Sequence, residues 1–203
     1  EPEEAPIEEI VTTGSRIVRD PFSSVSPLQV IDGETSRDLG LIDTSELVRQ
    51  PTVVQGQQIT PGLSTSAGVL TDNGPGSATA SLRGLDAGRT LVMVNGRRLA
   101  PAGVGGAQSN PDLNLVPGSL IQRIDVLLDG ASSVYGSDAV AGVINIILRS
   151  DFDGLELDAY KSWTGLDSAG GDQGVYSATW GVNNDRGFIG FAAEYNTING
   201  YAE

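Results

Sequence analysis

Cysteine and histidine are both missing from these 203 residues. Without them there is no thiolate or imidazole metal site, no Cys–His pair and no Ser–His–Asp triad. Basic charge is scarce as well. Twelve Lys and Arg, only one of them a lysine, stand against 26 Asp and Glu, for a net charge of −14. A phosphate backbone demands a basic patch, so nucleic acid is excluded as a partner, and an anionic leaflet is a poor docking surface. No apolar run approaches the ~20 residues of a membrane helix. No secretory signal is recognisable, and the start, Glu1-Pro2-Glu3-Glu4, reads as a mature terminus exposed after processing. The absence of cysteine suits an oxidising compartment that avoids stray disulfides. P-loop, dinucleotide and Gly-x-Ser-x-Gly fingerprints are lacking, and the many carboxylates form no obvious acid/base pair. No catalytic residue, metal ligand or cofactor is therefore expected.

Glycine, at 27 residues, is plentiful, and ten prolines add to it, which means many turns and few long helices. The most informative stretch runs from Arg123 to Leu148. Ile124, Val126 and Leu128 form one apolar face, Asp129-Gly130 is a turn dipeptide, and Ala131 to Tyr135 is a single helical turn. Gly136 and Gly142 bracket Val143 to Leu148, a run with the β-branched content of a buried strand. Asp125, Asp129 and Asp138 fit as strand-face, turn and helix-edge residues. Upstream, Leu28 to Ile31 reads as a strand, Asp32-Gly33-Glu34 as a helical turn, and Asp43-Thr44 as the capped start of a short helix ending before Pro51. Val53-Val54, Ala78 to Leu82 and Thr90 to Val94 are strand-like, and Asn95-Gly96 is a strong hairpin signal. Gly56 to Ser77 and Pro101 to Pro111 read as long polar loops, which inside compact domains are usually functional. Val116 to Ser119 is a turn-like approach to the Arg123 strand.

After Asp151 the pattern changes to strict alternation. Leu155, Leu157 and Ala159 alternate with Glu156, Asp158 and Tyr160; Tyr176, Ala178, Trp180 and Val182 with Ser177, Thr179 and Gly181; Ile189, Phe191, Ala193 and Tyr195 with Gly190, Ala192 and Glu194. Period-2 alternation marks a strand with one apolar face. Each segment is about ten residues, the length a tilted membrane strand needs. A long loop, Thr164 to Asp172, joins the first two, and the short turn Asn183-Asn184-Asp185 joins the next two. Trp163, Tyr176, Trp180 and Tyr195 sit near segment ends, where interfacial aromatics belong. An ordinary antiparallel sheet with one face on a soluble core would show the same alternation.

Four segments, in order, resemble TonB-dependent outer-membrane transporters. Glu8-Glu9-Ile10-Val11-Thr12-Thr13-Gly14 is similar to the TonB box, with Thr12 and Gly14 where the box often carries Val and Ala. Pro27 to Ile31 with Asp43 to Pro51 looks like the opening strand and helix of the plug. Ser81-Leu82-Arg83-Gly84 and Arg89 to Gly96 look like its central strands, and Arg123 to Leu148 looks like its closing signature. The resemblance implies an α+β plug, a small mixed sheet with short helices, followed by the first antiparallel strands of a transmembrane β-barrel. Residues 1–20 would be a flexible leader carrying the box, 21–150 the plug, and 151–203 the first wall strands. Such barrels have about 22 strands, so this chain holds a fraction of one.

The implied function is energy-coupled uptake of a scarce nutrient across the bacterial outer membrane, with the plug facing the periplasm and lumen. The implied partners are TonB with its ExbB–ExbD motor, acting through the box, outer-membrane lipid, the nutrient itself and a surface lipoprotein. An extended, unpaired box suits capture by strand addition. Arg83 and Arg123 correspond to plug arginines that lock onto barrel carboxylates, and Arg83 reads as part of a central strand. Asp72, Asn73, Asp86, Arg89, Gln108 and Asn110 are the ligand-facing candidates on plug loops. Two rivals remain. One is a soluble binding or filament module built on a plug-like fold. The other is a signalling transporter, for whose extra N-terminal domain the leader is too short. The direction faced by Leu155, Leu157, Trp180, Ile189 and Phe191 separates the soluble rival from the transporter.

Overall fold

The computed structural model describes residues 28–41, 43–49, 54, 77–102, 110–150, 152–163, 172–184 and 187–198. In chain order the elements are β1 (Leu28–Asp32), α1 (Gly33–Asp38), α2 (Thr44–Arg49), β2 (Thr90–Val94), β3 (Arg97–Arg98), β4 (Pro101–Ala102), β5 (Asn110–Pro111), β6 (Ile121–Leu127), α3 (Ser132–Tyr135), β7 (Gly142–Leu148), β8 (Gly154–Ser162), β9 (Gln173–Asn184) and β10 (Gly187–Ile198). The first sheet has the order β1-β6-β7-β2-β3 and the second the order β10-β9-β8. β2 and β7 run parallel, while the other pairs of the first sheet are antiparallel, so it is mixed.

The first sheet is covered on both faces. Ile31, Val92, Ile124, Val126, Ile144 and Ile146 meet Leu47 and Val48 of α2 together with Leu82 and Leu113. On the other face Leu91, Met93, Leu127 and Val143 lie under Ala131 and Ala139. Two-sided burial explains the unbroken apolar run of β7. It also corrects the one-face reading of β6: Asp125 and Leu127 are buried alongside Ile124 and Val126, and Leu128 lies just past the strand's end. The buried polar pair at the sheet's centre keeps partners. Asp125 pairs with Arg123 Nε at 3.2 Å, and Asn145 Oδ1 accepts from the Gly96 amide at 3.0 Å. Asn95 Oδ1 in turn accepts from the Leu148 amide at 2.9 Å, so two asparagines tie the β2–β3 turn to β7 reciprocally. Gly142 must be glycine. Its φ is +136°, and a Cβ there would lie 2.4 Å from the Leu127 carbonyl oxygen.

Short helices are set by side-chain caps. The Asp32 carboxylate accepts from the Thr35 amide at 2.7 Å, which starts α1 and lowers the Asp32 pKa. Asp43 accepts from the Ser45 amide at 2.6 Å at the start of α2, whose Leu47 and Val48 are fully buried.

Some expectations need correction. Ala78 to Leu82 forms no strand, apart from one bridge between Leu82 and Val54. Side chains satisfy its amides instead: Asp112 accepts from Ala78 and Thr90 Oγ1 from Leu82. Arg83 follows in a turn at φ +55°, not in a central strand. The ends of the Pro101 to Pro111 loop pair as β4 and β5. Asn183 and Asn184 belong to β9, where they oppose Phe188 and Gly187, because the hairpin ladder continues to its last residues. Val53 and most of the Gly56 to Ser77 loop lie outside the described residues.

Candidate functional site

The second sheet is 9, 12 and 12 residues long in β8, β9 and β10. Its register places side chains in rows. Leu155, Trp180 and Phe191 share one row, Leu157, Ala178 and Ala193 the next, and Ala159, Tyr176 and Tyr195 the third. These rows turn away from residues 28–148. Leu155, Leu157, Trp180, Val182, Ile189, Phe191 and Tyr195 are all exposed, from 37 % to 71 %. The buried positions of β9 are the small or polar ones, Gly174, Ser177, Thr179 and Gly181, together with Val175. In β9 and β10 the amphipathicity is therefore inverted relative to a soluble sheet, with the apolar face outside and the small or polar face covered, while β8 is exposed on both faces over Gly154–Ala159. The rings of Trp180 and Phe191 stack at 6.0 Å on the outer face.

A polar seam joins the inner face to the first sheet. Arg149, just past β7, makes two bonds to Glu156 of β8, at 2.5 and 2.7 Å. This is the fork-to-carboxylate geometry that arginine alone provides. Glu194 of β10 accepts from the Gly118 amide at 2.9 Å, and Asn196 donates to Asp43 at 2.7 Å. Asp158 accepts from the Ser177 hydroxyl at 3.1 Å. Tyr160 lies against Gly40, where a Cβ would come within 2.8 Å of its ring. Glu46 has its pKa raised, first by burial and then by the charge of Asp43, against the opposing pull of Arg49. Near the β9–β10 turn, Phe152 is buried on the same face, with its ring edge-on to Phe188 at 5.1 Å and the Arg149 guanidinium 4.6 Å above it.

The residues singled out from sequence fall unevenly. Glu8, Glu9, Ile10, Val11, Thr12, Thr13 and Gly14 lie outside the described residues, as do Asp72, Asn73 and Gln108. Asp86, Arg89 and Asn110 come together at one end of the first sheet. Asp86 caps the Ala87–Arg89 turn by accepting from Gly88, and Asn110 lies over Gly88, 3.4 Å from where its Cβ would stand. Arg83 donates to the Ala141 carbonyl at 2.9 Å, and Arg123 pairs with Asp125. Asp125 lies in β6 and Ala141 just before β7, so in these contacts neither arginine bridges to β8–β10. Arg149 makes that bridge. It was missed because it sits at the end of a strand signal, and nothing in a single sequence points its fork at residue 156. Glu156 and Glu194 were legible as the polar phase of alternating strands, but not as contacts, and Asn196 lies just past the alternation read from the sequence. Among the described residues, no three carboxylates gather closely enough to hold a metal ion, and no helix is long and apolar enough to cross a membrane.

The family model described as the TonB-dependent receptor plug domain matches residues 20–143. Solved structures similar to this chain include the siderophore receptor PirA from Acinetobacter baumannii, at 24% identity and TM-score 0.57, which covers 83% of this chain and 24% of its own. The ferric citrate transporter FecA in its unliganded form has TM-score 0.62 at 22% identity, covering 86% of this chain and 25% of its own. A mutant of the ferric enterobactin receptor PfeA from Pseudomonas aeruginosa has TM-score 0.56 at 18% identity, covering 92% and 26%. The chain thus spans about a quarter of the length of these structures.

Proposed function

Since the chain belongs to the TonB-dependent receptor plug domain family, we propose that it forms the gate and the first wall strands of an outer-membrane importer for a scarce nutrient. One observation carries this reading. The apolar side chains of β8–β10 turn away from the plug sheet, and the polar face of the same strands grips it. A soluble module would do the reverse, so the geometry favours lipid on one side and a plugged lumen on the other. Residues 1–20 serve as leader, 21–150 as plug and 151–203 as wall, in the outer membrane with the plug toward the periplasm and lumen.

In this reading TonB, energised by ExbB–ExbD, captures residues 8–14 as an added strand, because main-chain hydrogen bonds tolerate a loose sequence. Substrate meets the plug loops bearing Asp72, Asn73, Asp86, Arg89, Gln108 and Asn110. Arg83 and Arg123 stiffen the plug and remain candidates for contact with wall strands beyond β10. Iron chelates are the first substrates to try, because the similar receptors are named for a siderophore, ferric citrate and ferric enterobactin. The test is labelled ferric citrate and ferric enterobactin, then a wider nutrient panel, given to cells whose sole route is the intact receptor. Deleting residues 8–14 should abolish uptake and leave binding intact. Uptake that survives the deletion refutes the coupling.

A further inference from the structure

We propose that Asn95-Gly96 is a self-modifying site, chemically primed for deamidation, and that Asn145 of β7 suppresses the reaction in the folded receptor. The chemistry is independent of what the receptor carries.

Asn-Gly occurs three times in the chain, at 73–74, 95–96 and 199–200. The first and last pairs lie outside the described residues. In such a pair the glycine nitrogen is the nucleophile, and no Cβ crowds it. Once base has taken its proton, it attacks the asparagine Cγ. A new C–N bond closes a cyclic succinimide and the Cγ–Nδ2 bond breaks. The departing NH2 group regains a proton from solvent and leaves as ammonia. Water then opens the ring at either carbonyl, giving aspartate or isoaspartate. Water is the only co-reactant. β2 ends at Val94 and β3 begins at Arg97, so Asn95 and Gly96 are the whole of a two-residue loop. Both take the positive φ that this loop demands, +47° and +74°. The turn that closes the hairpin thus requires the reactive dipeptide.

Three bonds hold the pair back. The Gly96 N–H, whose proton must go, is donated to Asn145 Oδ1 at 3.0 Å. The Asn95 carboxamide, whose carbon must be attacked, is tied to β7 through its Oδ1, which accepts from the Leu148 amide at 2.9 Å. The Asn95 amide donates to the Ile146 carbonyl at 2.9 Å, so the backbone cannot re-aim the carboxamide without leaving β7. Asn145 supplies the best-shielded of the two side-chain bonds. It is 1 % exposed, between Ile144 and Ile146, and its bond to Gly96 is part-buried, where water competes poorly. The Asn95–Leu148 bond is exposed. A carboxamide buried in an apolar run is costly unless it is bonded, and covering this nitrogen is a role no apolar residue could fill. An isoaspartate at 95 would add a methylene to the loop and upset the register that loop length fixes.

The intact receptor, in lipid vesicles, is held in mildly alkaline buffer at growth temperature and sampled over time. Arg89 and Arg97 bracket the site, so trypsin releases residues 90–97 as one peptide. Its mass, and its isoaspartate content by enzymatic methylation, give the rate at residue 95. The same receptor unfolded in urea gives the unrestrained rate. The folded parent should react at least about fivefold more slowly, the effect of two ordinary hydrogen bonds. Asn145→Val, and Asn145→Ser with its oxygen one bond short, should each raise the folded rate by roughly two- to twelvefold. Leu113→Ala, which loosens the core elsewhere, should leave residue 95 at the parent rate. The proposal is overturned if the folded rate lies within about fivefold of the urea rate, if both Asn145 variants keep the parent rate, or if Leu113→Ala accelerates residue 95 as much as they do. If neither Asn145 variant folds, hydrogen exchange in the parent decides: a Gly96 amide that exchanges at the unfolded-chain rate overturns the proposal, and a protected one upholds it.

Discussion

Leu157→Arg separates a lipid-facing wall from a wet one. Leu157 is 71 % exposed, and its row, with Ala178 and Ala193, lies near the middle of all three strands. If this face meets water, replacing an exposed leucine there changes stability by no more than about 0.5 kcal/mol. If it meets the bilayer midplane, an arginine costs about 2–4 kcal/mol. That corresponds to a roughly thirty- to nine-hundred-fold fall in the folded-to-unfolded ratio. Leu39, on the plug after α1, has the same 71 % exposure and supplies the control. Leu39→Arg should change little, because it stands exposed at the end of α1 and not on the outer face of the second sheet. The assay is urea unfolding of the intact receptor in lipid vesicles, followed by tryptophan emission, with outer-membrane yield in cells as a second readout. Equal, small effects at the two leucines would refute the lipid-facing assignment of β8–β10, whatever the family of the plug.

Other substitutions probe the plug and its seam. Arg149→Ala should destabilise the docked plug by about 1 kcal/mol, since the pair is half open to water. Arg149→Lys should recover only part of this, for want of a second donor in the plane; denaturant melts of both variants measure it. Gly142→Ala should cost at least about 1–3 kcal/mol from its backbone conformation alone, with the Leu127 carbonyl in the way besides, and should show as lost receptor yield and a lower melting temperature. For Glu46 the sign is that of a carboxyl whose folded pKa is raised: its ionised form is disfavoured in the folded state, so stability falls as pH rises from its ordinary value of 4.5 toward the folded pKa. Glu46→Gln should therefore stabilise at neutral pH and have no effect well below 4.5, as read from melting temperature against pH. Asp32 has the opposite sign. The cost of Asp32→Ala, about 1 kcal/mol at pH 7, should disappear as pH falls through and below the lowered pKa of Asp32.

Local signals carried much of the architecture. Asp32 and Asp43 announce α1 and α2 because caps act over three residues. Asn95-Gly96 announces its hairpin because the turn demands those residues. The Arg123 to Leu148 stretch unfolds into β6, α3 and β7 in the order its turn and glycine residues suggest. Alternation in β8–β10 gave the two faces, but not which of them meets water, since period 2 is silent on direction. Two strand errors share a cause. Ala78 to Leu82 has strand composition, yet Thr90 and Asp112 reach its amides first, and Arg83 inherited the mistake. The seam was the least legible part. Arg149 to Glu156, Gly118 to Glu194 and Asp43 to Asn196 depend on how one sheet sits against the other, and the latter two join residues 76 and 153 positions apart. The seat of Phe152 was hidden for a related reason: Gly181 and Gly190, which lie under its ring, become neighbours only once the register is known.

The pairing of β1 with β6 has a bearing on biogenesis. Leu28 lies opposite Leu127, so a strand made early must wait for one made about a hundred residues later before its paired edge is closed. A chain made from its N-terminus therefore carries an open ladder until β6 is complete, and contacts so distant in sequence form slowly. Until β6 arrives, that edge is a template for the wrong neighbour, so the lone strand is the point at which this topology is most exposed to mispairing.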